Sequence, residues 1–144
     1  MCPFQKQADE LLAVCCSGKF YESLMTDSIG RDDVKRNTFR EVYFGRGTGF
    51  GVVGGRFRKK WDRVVDWLIA FKRKDYKKSA RALQRLESSI MIDTVGKQLV
   101  SEGVPFYTVH DAVYPLPEHT QRVQVLIEDS MRAAVGAAPK MTVE

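Results

Sequence analysis

In the stretch RDDVKRNTFREVYFG, Arg31, Lys35, Phe39 and Tyr43 follow one another at intervals of four, which on a helix places them along one slowly turning face. Two cations followed by two aromatic rings on one helix face suit clamping a triphosphate with the first pair and stacking or screening a base with the second. The plain alternative is an ordinary surface helix with Phe39 and Tyr43 in the core. A second candidate lies in GVPFYTVHDAVYPLP, where alternating apolar residues are interrupted by His110 and Asp111. A carboxylate at a hairpin bend projects from a rigid sheet, a good geometry for holding a divalent metal. Equally, Asp111 can bond turn amides while His110 packs. A phosphohydrolase of the His-Asp type needs further His ligands, and the chain has only His110 and His119.

The elements that must position these residues are legible from periodicity. Residues Gln7 to Met25 read as one or two helical pieces broken near Ser17 to Lys19. Arg31 to Phe44 reads as a helix, with Asp32 and Asp33 in its first turn and Gly45 just past its end. Gly45 to Gly55 carries six of the 11 glycines and reads as a flexible loop. Gly49, Gly51 and Gly54 satisfy G-x-G-x-x-G, but a dinucleotide loop needs a strand before it, and here a helix precedes; a Walker-type loop is excluded because no Gly-Lys-Ser/Thr occurs. Trp61, Val64, Val65, Leu68 and Phe71 or Lys72 mark an amphipathic helix. A longer pattern from about Asp75 to Ser101 turns Ala80, Leu83, Ile90 or Met91, Val95 and Leu99 inward and ends at Gly103. Val104 to Leu116 predicts a β-hairpin, Glu118 to Val135 a helix with Val123, Ile127, Met131 or Ser130, and Ala134 inward, and PKMTVE a last strand.

At 144 residues one domain is the default expectation. Its subdivision reads as an N-terminal helical segment over 1–30, helices and the Gly-rich loop over 31–74, and a helix, hairpin, helix and last strand over 75–144. Hydrophobic content of 44% and charged content of 28% exclude disordered, fibrous and membrane classes. The 23 Lys and Arg against 18 Asp and Glu leave a net charge of +5, with a basic cluster from Arg56 to Lys78 that includes Lys59 and Lys60. Such a balance favours polyanionic partners, nucleic acid first, although a solvated basic face explains charge alone. Cys2, Cys15 and Cys16 form no even framework, and no signal peptide or spanning segment is present, so the expectation is a cytoplasmic protein without a membrane partner.

Four segments together resemble the family A DNA polymerases and the related single-subunit, phage-type RNA polymerases. RDDVKRNTFREVYFG is similar to motif B, R-x3-K-x3-F-x3-Y-G, on the fingers helix; YTVHDAVYPLPEH is similar to motif C, a strand, His-Asp and a second strand. Between them LQRLESSIMIDTVGKQL is similar to the palm helix that carries a Gln, and PKMTVE to the closing palm strand. The order is that of the family, and the resemblance covers roughly Ser17 to Glu144. It implies an α+β fold, with a helical fingers portion and an incomplete antiparallel palm sheet bearing the motif C hairpin. It implies that Arg31 and Lys35 contact the phosphates of an incoming dNTP or NTP, with Lys35 in the catalytic set. Phe39 and Tyr43 would then lie against the nucleotide and templating base, Gln84 on the minor-groove side of the nascent pair, His110 near the primer terminus, and Asp111 on catalytic magnesium. Independently of the resemblance, the basic run from Arg56 to Lys78 makes Lys59 and Lys60 the expected contacts to a nucleic-acid duplex.

Three departures qualify the match. Phe44 intervenes between Tyr43 and Gly45, so either Tyr43 or Phe44 is the stacking ring. Ala112 stands where the DNA enzymes have Glu and the RNA enzymes Ser, which leaves the nucleic acid open. Two-metal phosphoryl transfer needs two carboxylates from separate strands, and the motif A strand that carries the first is missing upstream of Arg31. The expectation is a fingers-and-palm fragment of a template-directed nucleotidyltransferase, from a bacterial or phage-infected cell, whose motif A is supplied by a complementing fragment or a second copy, or is lost. The alternative is a non-catalytic nucleic-acid-binding or accessory module that retains the fold; a plain helical interaction domain is the third reading.

Overall fold

The structure, a computed structural model, describes residues 2–109 and 112–143. The chain divides into two compact units, Met1–Leu83 and Gln84–Glu144. The fold is α+β: mostly helical, with one small two-stranded antiparallel sheet.

The elements of the first unit are helical, apart from an isolated antiparallel bridge between Thr26 and Ile29. Helix α1 (Pro3–Cys16) opens on a proline, whose missing N–H is one the first turn leaves unbonded anyway. It stops at a turn where Gly18 takes a φ of 72°, followed by a short 3₁₀ turn at Glu22–Leu24. Helix α2 (Arg31–Thr38) runs directly into a π-helical segment, Phe39–Tyr43. Helices α3 (Gly51–Lys60) and α4 (Asp62–Lys72) follow, separated by Trp61. Gln7 ties α1 to the start of α4: its Nε2 donates to Asp62 Oδ1 (2.6 Å) and its Oε1 accepts the Arg63 N–H (2.9 Å), one of the unpaired first-turn amides. These helices close over Leu24, Val34, Val42, Val53, Phe57 and Val65, all fully buried. The Phe57 ring meets Phe20 edge-on at 6.2 Å and Trp61 at 4.9 Å, and burying a ring of this size contributes roughly 1.5–3 kcal/mol.

The inward stripe of α4 is Val64, Val65, Leu68 and then Lys72, so of the two residues at its last position the lysine is the buried one and Phe71 lies half-exposed. The Gly-rich segment expected to be a flexible loop is loop only as far as Phe50; Gly51–Gly55 open α3. That correction has a physical reason in Glu41, whose carboxylate accepts the Gly54 N–H at 2.9 Å and so holds the start of α3.

Helix α5 (Lys78–Ser88) leads through a second π-helical segment, Ser89–Gly96, into α6 (Lys97–Ser101). Gly103, at φ 69°, ends this run. Of its expected inward residues Ile90, Val95 and Leu99 are buried, but Leu83 is 46% exposed; Ser79 is the buried side chain there, donating its hydroxyl to the Tyr43 carbonyl at 2.6 Å.

In the second unit, strands β1 (Phe106–Val109) and β2 (Ala112–Pro115) pair antiparallel with Tyr107 opposite Tyr114 and Thr108 opposite Val113. Period-two alternation sends Phe106 and Val113 toward Val95, Leu99, Val104, Val123 and Leu126, while Tyr107 and Tyr114 stack on the outer face at 4.9 Å. At Gly96 the tight neighbour is the Met91 carbonyl, 3.3 Å from where a Cβ would stand, while the Phe106 ring lies at ordinary contact distance. Helix α7 (Thr120–Val135) turns Val123, Leu126 and Ser130 inward and ends at Gly136, left-handed at φ 79°. Its inward stripe was expected to include Ala134, which is exposed. The strand expected from PKMTVE is not formed over residues 139–143, and no third strand joins the sheet among the described residues.

Candidate functional site

Arg31 is the first residue of α2, where a cation opposes the positive end of the helix dipole, and Glu22 compensates it. The Arg31 Nε donates to Glu22 Oε1 at 2.9 Å, and the guanidinium lies 5.3 Å over the Tyr21 ring. The Glu22 carboxyl is held below the usual carboxylate range, first by its own backbone N–H and then by Arg31. One turn further along the same face, Lys35 is exposed. Asp33 pairs with Arg36 and leaves Lys35 without an ion-pair partner among the described residues.

Where the aromatic half of the face begins, the helix changes pitch. The Phe44 N–H reaches back five residues to the Phe39 carbonyl at 2.8 Å, the π-helical bond, in place of the four-residue spacing of α2. A five-residue repeat brings Phe39 under Phe44: the two rings stack with centroids 5.2 Å apart and planes 16° from parallel, each 37% exposed. Tyr43 turns toward the core, meeting Phe57 edge-on at 6.2 Å, and burial pushes its phenol well above the ordinary tyrosine range. Of the two rings that the sequence left open, Phe44 is the one that joins Phe39 at the surface. Arg31, Lys35 and the Phe39–Phe44 pair therefore lie along one helical run, its cationic start and aromatic end about 12 Å apart for eight residues of rise.

The segment after this run does not form a phosphate cradle. Gly54, the third glycine of the G-x-G-x-x-G pattern, gives its amide to the Glu41 carboxylate, so the N–H that would meet an anion already meets one. Glu41 is the residue the sequence reading missed, and its one signal is an acidic side chain just ahead of the glycines.

The basic run after it divides by task. Arg56 donates to the Leu24 and Met25 carbonyls, both at 2.9 Å, and Arg58 pairs with Asp66 at 3.0 Å. Lys59 and Lys60, in the last turn of α3, are exposed, with the Lys60 ammonium 5.7 Å from the Trp61 ring centroid. These two remain available to a polyanion, while the two arginines hold the unit together.

Gln84 is exposed on α5. His110 and Asp111, between β1 and β2 in sequence, lie outside the described residues. Among the described residues no group of three or more His, Cys, Asp or Glu side chains could hold a metal ion, so no described donor set can be matched to magnesium. Compared with known proteins, the chain matches no family model, no curated protein and no solved structure.

Proposed function

We propose that the chain is the fingers-and-palm portion of a template-directed nucleotidyltransferase resembling the family A DNA polymerases, binding an incoming nucleotide on the Arg31–Phe44 helix face and primer-template through Lys59, Lys60 and Gln84. The observation that carries this reading is the exposed run of Arg31, Lys35 and the stacked Phe39–Phe44 pair. A triphosphate meets the two cations, with Arg31 exchanging its contact to Glu22 for phosphate oxygens, and the base or sugar lies against the phenyl pair. Phosphoryl transfer is mainly positioning and charge stabilisation, and Lys35 is the cation suited to the charge that develops on the phosphates. The reading assigns magnesium to Asp111, where the metal would neutralise phosphate charge and activate the attacking hydroxyl. A second carboxylate then has to come from residues outside this sequence, on the same or another polypeptide.

The test is nucleotide binding followed by primer extension. A fluorescent dNTP should bind the 144-residue chain and lose affinity about tenfold in Lys35→Ala and in Phe44→Ala, but little in Tyr43→Phe. The chain alone should extend no primer, and adding a polypeptide that carries the missing motif A strand should restore extension that Asp111→Ala abolishes. Nucleic-acid binding without nucleotide binding would favour the accessory module instead.

A further inference from the structure

A cavity of about 690 Å³ opens in the first unit where the end of α4 and residues 73–76 face the loop after the π-helical segment. Arg46 and Thr48 line one side, Lys72, Arg73, Lys74 and Tyr76 the other. Four of those six are cations. The one carboxylate in the wall, Asp75, accepts the Lys77 N–H at 2.9 Å and pairs with Arg81, so it does not neutralise them. The carbonyl end of α4 also points here and disfavours an anion. Its effect is blunted because the Ala70 and Lys72 carbonyls already accept the Arg73 and Asp75 amides, at 3.3 and 3.0 Å.

At the base of the cavity sits Lys72, a lysine only 5% exposed. Its Nζ donates to the Val42 carbonyl (3.2 Å) and to Thr48 Oγ1 (2.8 Å), both neutral acceptors. An ammonium carries three donors, so one remains, and among the described residues no carboxylate lies within ion-pair distance. Buried charges are ordinarily paired. Burial alone lowers the Lys72 pKa from the ordinary lysine range, which is the mark of a cation without a counter-charge.

We propose that this cavity is a binding site for linked phosphates, a di- or triphosphate whose oxygens meet Lys72 at the base and Arg46, Arg73 and Lys74 at the rim. Its volume lies within the roughly 300–1,000 Å³ of small-ligand sites. A single phosphate monoester, at a charge of about −1.5 to −2, leaves two of the four cations unmatched, whereas two or three linked phosphates match them. The site shares no residue with the Arg31–Phe44 face and does not rest on the reading proposed for that face. Free polyphosphate and the phosphate chain of a nucleotide present the same chemistry, and the experiment separates them.

Calorimetric titrations of the 144-residue chain with tripolyphosphate, ATP and orthophosphate test the proposal. Tripolyphosphate should bind, orthophosphate far more weakly. Arg46→Gln/Arg73→Gln, two exposed positions whose loss leaves the core intact, should weaken tripolyphosphate by about tenfold or more. Lys72→Met should abolish binding where circular dichroism shows it folded. The charge-matched Lys6→Gln/Lys19→Gln, at two exposed lysines outside both proposed sites, should leave it unchanged, and each titration is run in the Lys35→Ala background so that triphosphate held at the Arg31–Phe44 face is not counted. ATP tighter than tripolyphosphate identifies a nucleotide, and equal affinities identify free polyphosphate. No tripolyphosphate binding at about 1 mM, equal weakening by the two double variants, or displacement by duplex DNA but not by ATP would overturn the proposal.

Discussion

Glu41 and Gly51 form a pair whose coupling can be worked out in advance. The Glu41 side chain is 12% exposed and its carboxylate accepts the Gly54 N–H at 2.9 Å; Gly51 sits beside it at a φ of 80°. A Cβ at Gly51 would lie 2.5 and 2.7 Å from the two carboxylate oxygens, so Gly51→Ala must displace Glu41. It also forces a non-glycine residue into the left-handed region, at about 1–2 kcal/mol. Losing a charge-assisted hydrogen bond to a buried amide costs about 1.5–3 kcal/mol. Glu41→Ala should therefore cost about 1.5–3 kcal/mol. Gly51→Ala should cost about 2.5–5 kcal/mol, the backbone strain plus the same lost bond. The double variant should be no worse than Gly51→Ala alone, because the bond can be lost only once, which leaves a coupling of about 1.5–3 kcal/mol. Urea unfolding followed by tryptophan fluorescence reads this directly, since Trp61 and Trp67 both belong to the first unit. Costs that add to within about 0.5 kcal/mol would refute the shared bond, and a neutral Gly51→Ala would refute the left-handed start of α3.

Leu24→Ala, at a fully buried side chain, should cost about 2–5 kcal/mol in the same assay, and a loss below about 1 kcal/mol would mean that the site collapses freely. The raised phenol of Tyr43 means that above about pH 10 the unfolded chain gives up a proton the folded chain keeps. Stability should therefore fall as pH rises through that range, less steeply in Tyr43→Phe, and parallel urea midpoints from pH 9 to about 11 would contradict the burial of the hydroxyl. Glu22→Gln frees the Arg31 guanidinium from an exposed ion pair, so nucleotide should bind more tightly, and weaker binding would count against Arg31 as a phosphate ligand. Lys59→Gln/Lys60→Gln should lower the slope of log affinity for duplex DNA against log salt by about 2, and an unchanged slope would remove these lysines from the interface.

By itself the sequence determined most of the element order. Apolar spacing of three and four marked α4 and α7, period-two alternation marked the hairpin, and glycines marked the ends at Gly18 and Gly103. These are local signals, set by steric rules that act within a few residues. It also singled out Arg31 and Lys35, because α2 holds its ordinary pitch across both.

Only the tertiary structure decided what lies beyond that pitch. A four-residue repeat extended from Arg31 selects Tyr43; the π-helical bond from Phe44 to Phe39 inserts one residue, so that Phe44 takes the surface place and Tyr43 the core. The glycines at 51–55 have the composition of a loop and the backbone of a helix, because a carboxylate ten residues before Gly51, at Glu41, holds an amide that no local rule connects to it. Lys72 stands on an apolar stripe where periodicity allowed Phe71 as readily. Its ammonium is accepted there because the Val42 carbonyl and the Thr48 hydroxyl, contributed by a different part of the chain, meet it. A side chain's periodicity sets which way it points, but the partners it meets are set by how distant segments close upon one another, and on those partners the chemistry of Lys72, Glu41 and Phe44 depends.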